Sequence, residues 1–304
     1  MEKTLRETIK DTVYRHLKKN NGIVMGQCLT AVGWVGGTLP ELYEEDGMIE
    51  LSMADVAGSG FVVGAALDNK RPIYIIRYQG FNWYNAPMIV NYACKSKEIW
   101  DRPCPIFIRS IAMEGSIGPV AGSSHHSLYY RMPGVKIYSP MTPGEYRQAY
   151  DDFMNDDEVY YISEHRMSYE NKLELKNSIL EKPDFTLFPI SITRFEAEKA
   201  KIELEKIGIK INIIHQFKLK PYIMTEEAES SLKDSKYGGI VLDDDYENGI
   251  AKCISADLMK KTLKPVYVMG LQDKSAGFGI EYDNLSPCKD RIVTFIKNLY
   301  NSGE

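Results

Sequence analysis

The sequence predicts an α/β fold in two domains, a mostly parallel, doubly wound sheet followed by a smaller α/β domain. Three observations predict it. Short β-branched runs alternate with helical patterns along the chain, the order that a parallel sheet covered by helices on both faces requires. That rhythm breaks once, over a polar stretch at 166–185 containing Pro183, and then resumes. A length of 304 residues, 44% hydrophobic and 26% charged, is enough for two ordinary globular cores. The expected division is therefore 1–165, a linker at 166–185, and 186–304.

The elements follow in order. Residues 4–18 read as an amphipathic helix and 22–26 as a short strand. A small-residue helix at 58–67 leads to the strand RPIYIIRY at 71–78, then to a helix at about 83–97 and the strand CPIFIRS at 104–110. A Gly/Ser-rich loop covers 115–124, and VKIYSP at 135–140 is a strand. Thr142, Pro143 and Glu145 form a helix start: a capping hydroxyl, a proline suited to the first turn, and the acid of a capping box. That helix runs to about 155, and EVYYIS at 158–163 is the next strand. Beyond the linker come a strand at 186–191, a helix at 194–207, and strands at 210–217 and 238–245. In the helix, Ala197, Ala200, Leu204 and Ile207 share one face at steps of three and four.

Composition narrows the function classes. A net charge of −5 without a dense Lys/Arg run argues against nucleic acid or an anionic membrane as the main partner. The five cysteines, Cys28, Cys94, Cys104, Cys253 and Cys288, are odd in number and hold no C-x-x-C spacing, so the expectation is a reduced, cytoplasmic protein with neither a disulfide framework nor a zinc site. The N-terminal pattern lacks a signal-peptide core, and no apolar run nears the roughly 20 residues of a membrane span.

In open parallel sheets, ligands bind at the carboxyl ends of strands. Three segments meet that rule. In MADVAGSGFVVGAAL, 53–67, Asp55 precedes a helix whose small residues allow close packing; it reads either as a helix-capping acid or as a site carboxylate. In GSIGPVAGSSHHS, 115–127, His125 and His126 offer a general acid or base near neutral pH, or are incidental residues of an exposed turn. In GFNWYN, 80–85, Phe81 and Tyr84 offer a stacking surface to a flat ring, or pack a helix start into the core. The acidic run at 243–245 reads as a solvated strand end rather than a metal site.

Taken in order, these segments resemble the transketolase-like thiamine-diphosphate family, and within it the beta subunits of 2-oxo acid dehydrogenase first components. The segments TLRETIKDTV, GIVMGQ, VVGAALDNKRPIYII, GPVAGSSHHS, MPGVKIYSPMTPGEYRQAYDDFM and YYISEHR carry the resemblance over nearly all of 4–165, and it continues more weakly at 208–221 and 238–259. It implies a pyrimidine-binding domain followed by a transketolase C-terminal domain. It also implies that a carboxylate at Asp55 meets a ring nitrogen of the cofactor's aminopyrimidine and shifts it toward the imino form. The family's usual residue there is Glu. Asp is one methylene shorter, and a misplacement of roughly 1 Å can cost on the order of a hundredfold in rate. A second family Glu falls on Gln27, the stacking aromatic on Phe81 with Tyr84 nearby, and the catalytic histidine on His126 or His125.

No G-D-G occurs in the chain. The resemblance therefore implies that an alpha-like partner holds Mg2+ and the diphosphate, with thiamine diphosphate shared between two alpha and two beta chains. The activity it implies is cleavage of a 2-oxo acid and transfer of the acyl or aldehyde unit to an acceptor. A split transketolase moving ketol units between sugars is the alternative, and would gain from clustered Arg and His residues able to grip sugar phosphates, of which the sequence shows few. A degenerate structural or regulatory subunit is the third reading, supported by Asp55 in place of Glu.

Overall fold

Thr4 starts the first helix by accepting from the Glu7 N–H while the Glu7 carboxylate accepts from the Thr4 N–H. This reciprocal box satisfies donors that the first turn leaves open. The helix, α1 (Leu5–Lys19), buries Leu5, Ile9, Val13 and Leu17 at steps of four. The structure, a computed structural model, describes residues 2–20, 22–113, 118, 122–279 and 283–302. The chain divides into two units, one over 1–113 and 120–174 and the other over 175–304.

The first unit continues with β1 (Ile23–Gly26), α2 (Ala31–Gly37), β2 (Met48–Glu50), α3 (Asp55–Leu67), β3 (Pro72–Ile76), α4 (Asn82–Met88), α5 (Cys94–Trp100), β4 (Phe107–Ala112), β5 (Val135–Tyr138), α6 (Pro143–Met154) and β6 (Val159–His165). Its strands run in the order β2–β1–β3–β4–β6–β5, each neighbouring pair parallel. β3, β4 and β6 are buried along their whole length, as continuous apolar strands covered on both faces should be. Ile23 pairs with Pro72 and Gly26 with Ile75, so β1 and β3 end level with one another. Gly26 permits that approach: a Cβ there would lie 2.9 Å from the Ile75 carbonyl oxygen.

Two local features differ from expectation, and a third lies where the sequence predicts no element. The helix expected at 83–97 is broken, because Pro87 lies inside α4 and the ladder widens into a π turn at Ile89–Ala93 before α5. At α6, Thr142 caps the Glu145 N–H as expected, but Glu145 accepts from the Met141 N–H rather than from Thr142. In α2, Val32, Gly33, Trp34, Val35 and Gly36 all hold φ of 50–62°, a left-handed turn that side chains with a Cβ resist by about 1–2 kcal/mol per residue.

The second unit contains β7 (Phe185–Pro189), α7 (Thr193–Glu205), β8 (Ile211–Ile213), β9 (Lys218–Lys220), α8 (Glu226–Asp234), β10 (Gly239–Tyr246), α9 (Ile250–Thr262), β11 (Val266–Leu271) and α10 (Lys289–Ser302). Its parallel sheet runs β11–β10–β7–β8. Ala197, Ala200 and Leu204 of α7 pack with Phe185, Leu187, Ile240 and Ile296 in its core. Ile207, expected on the same face, is 52% exposed because α7 ends at Glu205. Asp243, Asp244 and Asp245 are buried rather than solvated. Ser191 donates to Asp244 at 2.8 Å, and Asp243 accepts from the Asp245 N–H at 3.2 Å. No described helix is long and apolar enough to cross a membrane.

Candidate active site

The level carboxyl ends of β1 and β3 open a cavity of about 220 Å3. β1 hands over Gln27 and Cys28, β3 contributes Ile75 to Tyr78, and the walls are completed by Asp55 at the start of α3 and by Phe81 and Asn85 at the start of α4. Three residues expected from the sequence to touch a cofactor, Gln27, Asp55 and Phe81, thus line one cavity.

Asp55 is not a helix cap. Ala54 occupies the N-cap position, with no side-chain bond, and Asp55 Oδ1 accepts instead from Asn85 Nδ2 at 2.9 Å. Asn85 Nδ2 also donates to the Phe81 carbonyl at 2.9 Å, and Asn85 Oδ1 accepts from the Tyr74 hydroxyl at 2.5 Å. Burial, and then the nearby Asp55 charge, raise Tyr74 above the ordinary phenol range, so it remains a donor. Gln27 Nε2 is buried and has no hydrogen-bond partner among the described residues. The cavity therefore presents an anchored carboxylate, an open amide donor and an aromatic side chain, a set suited to a flat heteroaromatic ring carrying both donors and acceptors.

Tyr84 does not join this set. It precedes Asn85, roughly 100° round the helix from the cavity face, and is 54% exposed. Neither histidine lines the cavity. His126 is fully buried, with Nδ1 at 3.1 Å from Ser163 Oγ. His125 donates its backbone N–H to Gln79 Oε1 at 2.7 Å and sets its ring edge-on to Trp83, the centroids 6.3 Å apart. Gln79 also donates to Ser163 at 2.8 Å, so one buried amide ties both histidines to the sheet. Residues 115–117 and 119–121 of the expected Gly/Ser loop lie outside the described residues.

A second, smaller cavity of about 80 Å3 shares Arg77 and Tyr78 with the first. Arg6, Arg166, Met113 and the left-handed turn of α2 also line it. Arg6 is paired with Glu170 at 2.6 Å. Arg77 and Arg166 have no carboxylate partner among the described residues, Arg166 reaching only the Met113 sulfur at 3.6 Å. The sequence reading found few clustered arginines; the fold gathers three that lie 71 and 89 positions apart in the chain.

Residues 1–172 match the family described as "Transketolase, pyrimidine binding domain". The chain belongs to this family. The 2-oxoisovalerate dehydrogenase subunit beta of Bacillus subtilis (strain 168) is 24% identical over 271 residues, covering 79% of each chain. The pyruvate dehydrogenase E1 component subunit beta of Acholeplasma laidlawii is 25% identical over 244 residues, covering 72% of each. Among solved structures, "Split gene transketolase, inactive beta4 tetramer" superposes with a TM-score of 0.73 at 16% identity, covering 99% of both chains. The fold is thus that of transketolase-like proteins, and the cavity lies inside the matched pyrimidine-binding domain.

Asn85, Tyr74, Arg77 and Gln79 were not singled out from the sequence. Asn85 had a readable signal, lying four residues after Phe81 and hence on the same helix face. Arg77 had another, a cation ending an otherwise apolar strand.

Proposed function

We propose that this chain is the pyrimidine-side, beta-like subunit of a heteromeric thiamine-diphosphate enzyme that cleaves a 2-oxo acid and passes the acyl or aldehyde unit to an acceptor. The observation that carries the reading is the cavity holding Asp55, Gln27 and Phe81 together within the matched domain. These residues fit an aminopyrimidine: Asp55 offers an acceptor, Gln27 Nε2 an unused donor, and Phe81 an apolar wall. When bound, thiamine diphosphate supplies the electron sink for cleaving the bond beside a keto carbon. The chain's own part is to hold the ring in place and to keep a carboxylate at a ring nitrogen, where it can take and return a proton. His125 or His126 is the histidine to which proton transfer is assigned, on the resemblance of their loop to the family's histidine loop.

The partner follows from what this sequence omits. It has no G-D-G, so an alpha-like chain would hold Mg2+ and the diphosphate in an assembly of two alpha and two beta chains. Met53, Val56, Phe61 and Trp83 are large apolar side chains left exposed on and around α3 and α4, and Met53 also lines the cavity. Such a face supports a partner seated over the cavity mouth. The test is co-purification with an alpha-like protein, followed by assay of 2-oxo acids for carbon dioxide release. Tight binding of thiamine diphosphate and Mg2+ with turnover by this chain alone would overturn the half-site reading.

The arginine-lined cavity favours a second reading, ketol transfer between phosphorylated sugars by a split transketolase. Guanidinium groups without a carboxylate partner suit a phosphate. Turnover of sugar phosphates with no carbon dioxide release from 2-oxo acids would select it. The third reading, a degenerate subunit, requires that Asp55→Ala leave the activity of the assembled complex unchanged.

A further inference from the structure

We propose that Asn85 and Tyr74 are positioning residues for Asp55, and that they fix the shorter carboxylate at its working place. The proposal rests on the thiamine-diphosphate reading above. Each bond in the chain settles the next. The Phe81 carbonyl can only accept, so the Asn85 group 2.9 Å from it is the NH2 end. The Tyr74 hydroxyl, kept protonated by burial and by Asp55, donates to the other end at 2.5 Å. With both ends of the amide held, its remaining N–H has one direction, toward Asp55 Oδ1 at 2.9 Å. Asn85 and Tyr74 are each 1% exposed, so no bulk water competes for these bonds. One Asp55 oxygen is committed to Asn85, and the carboxylate also borders the cavity, where a bound ring nitrogen can meet the other.

The consequence is geometric. The Asn85 N–H fixes one Asp55 oxygen and with it the direction of the other. Asn85 Nδ2 stands at 2.9 Å from Asp55 Oδ1, so a longer Glu side chain would have to displace that amide or turn away from it, and Asp55 and Asn85 form a matched pair.

The test uses the complete complex loaded with thiamine diphosphate and Mg2+. Asn85→Ala is expected to lower kcat by about tenfold to a hundredfold with little change in KM. The near-ultraviolet circular-dichroism signal of the bound aminopyrimidine should fall in the same variant while thiamine diphosphate still binds. Tyr74→Phe, which keeps the ring, should do the same to a smaller extent, and serves where Asn85→Ala fails to fold. Asp55→Glu alone should lower kcat, and Asp55→Glu combined with Asn85→Ala should recover part of the loss. An unchanged kcat and dichroism signal in both Asn85→Ala and Tyr74→Phe, or strictly additive losses in the double variant, would overturn the proposal. If Asp55→Ala leaves both activity and the dichroism unchanged, the thiamine-diphosphate reading itself fails. If Asp55→Ala is damaging while Asn85→Ala and Tyr74→Phe move nothing, only the positioning role fails.

Discussion

Two carboxylates of the first unit stand in opposite circumstances. Glu164, inside β6, is 2% exposed and accepts from Arg109 Nε at 2.6 Å, from Arg109 Nη2 at 2.9 Å and from the Tyr169 hydroxyl at 2.8 Å. Burial opposes the charge on Arg109, but Glu164 outweighs it, so the guanidinium stays protonated; only its Nη1 lacks a partner. Asp55 has one amide donor and otherwise borders open space. Arg77 and Arg166 repeat the second pattern with the opposite sign. The charge whose partners are all protein holds the sheet together, and the charge that faces a cavity is left to meet a ligand.

Substitutions can break or sharpen that contrast. The largest effect is expected at Glu164. Glu164→Ala leaves Arg109 buried without its counter-ion and should destabilise the unit by about 3–5 kcal/mol, read as a fall in denaturation midpoint or failure to fold. A stable Glu164→Ala protein would erase the distinction. Asp55→Ala should show the reverse profile: a loss of roughly a hundredfold or more in the activity of the complex, with the denaturation midpoint nearly unmoved. Loss of both together would make Asp55 a structural residue as well.

A pH effect comes next. His16 is buried against α6, where its Nδ1 meets the Tyr150 hydroxyl at 2.9 Å, and burial lowers its pKa to about 4. Burial alone lowers His165 to about 3. Both are depressed below the ordinary histidine value of 6.5, so between pH 6.5 and these values the unfolded chain binds protons that the folded chain refuses. Stability is fully present above pH 6.5 and falls as pH drops toward 4, by up to about 1.4 kcal/mol per pH unit for each group. Denaturant melts from pH 7 to 4.5 check this, and His16→Gln should flatten the slope. The smallest expected change in stability is at Arg77 and Arg166. Their replacement by Ala should move stability by no more than about 0.5 kcal/mol, while raising KM for a phosphorylated substrate selectively. An equal rise for an unphosphorylated 2-oxo acid would remove the support these arginines give to sugar phosphates.

The legibility of the molecule follows the same division between local and distant causes. Continuous apolar runs make β3, β4 and β6 readable, and apolar spacing and caps make α1 and α6 readable, because each signal lies within the element itself. The second unit was less so: α8, α9, β11 and α10 carry ordinary amphipathic patterns that did not stand out beside the resemblance. Asp243 to Asp245 were misread because charge alone says nothing of the Ser191 hydroxyl and backbone donors that receive two of them. The histidine pair was found as residues but not as geometry, since the buried Gln79 that ties them is 46 positions from His125.

The sequence by itself determined the α/β class, the ordered segments that resemble transketolase-like subunits, the presence of Asp55, Gln27 and Phe81, and the lack of a G-D-G. These are properties of residues near one another in the chain. Only the tertiary structure decided that Gln27, Asp55 and Phe81 share a cavity, that Tyr84 does not, that Asn85 donates to Asp55 while accepting from Tyr74, and that three arginines line a second cavity. The physical reason is the parallel register of β1 and β3. It sets the carboxyl ends of the two strands side by side, where residues 27, 55, 74 and 85 line one cavity and the hydrogen bonds that orient the site form.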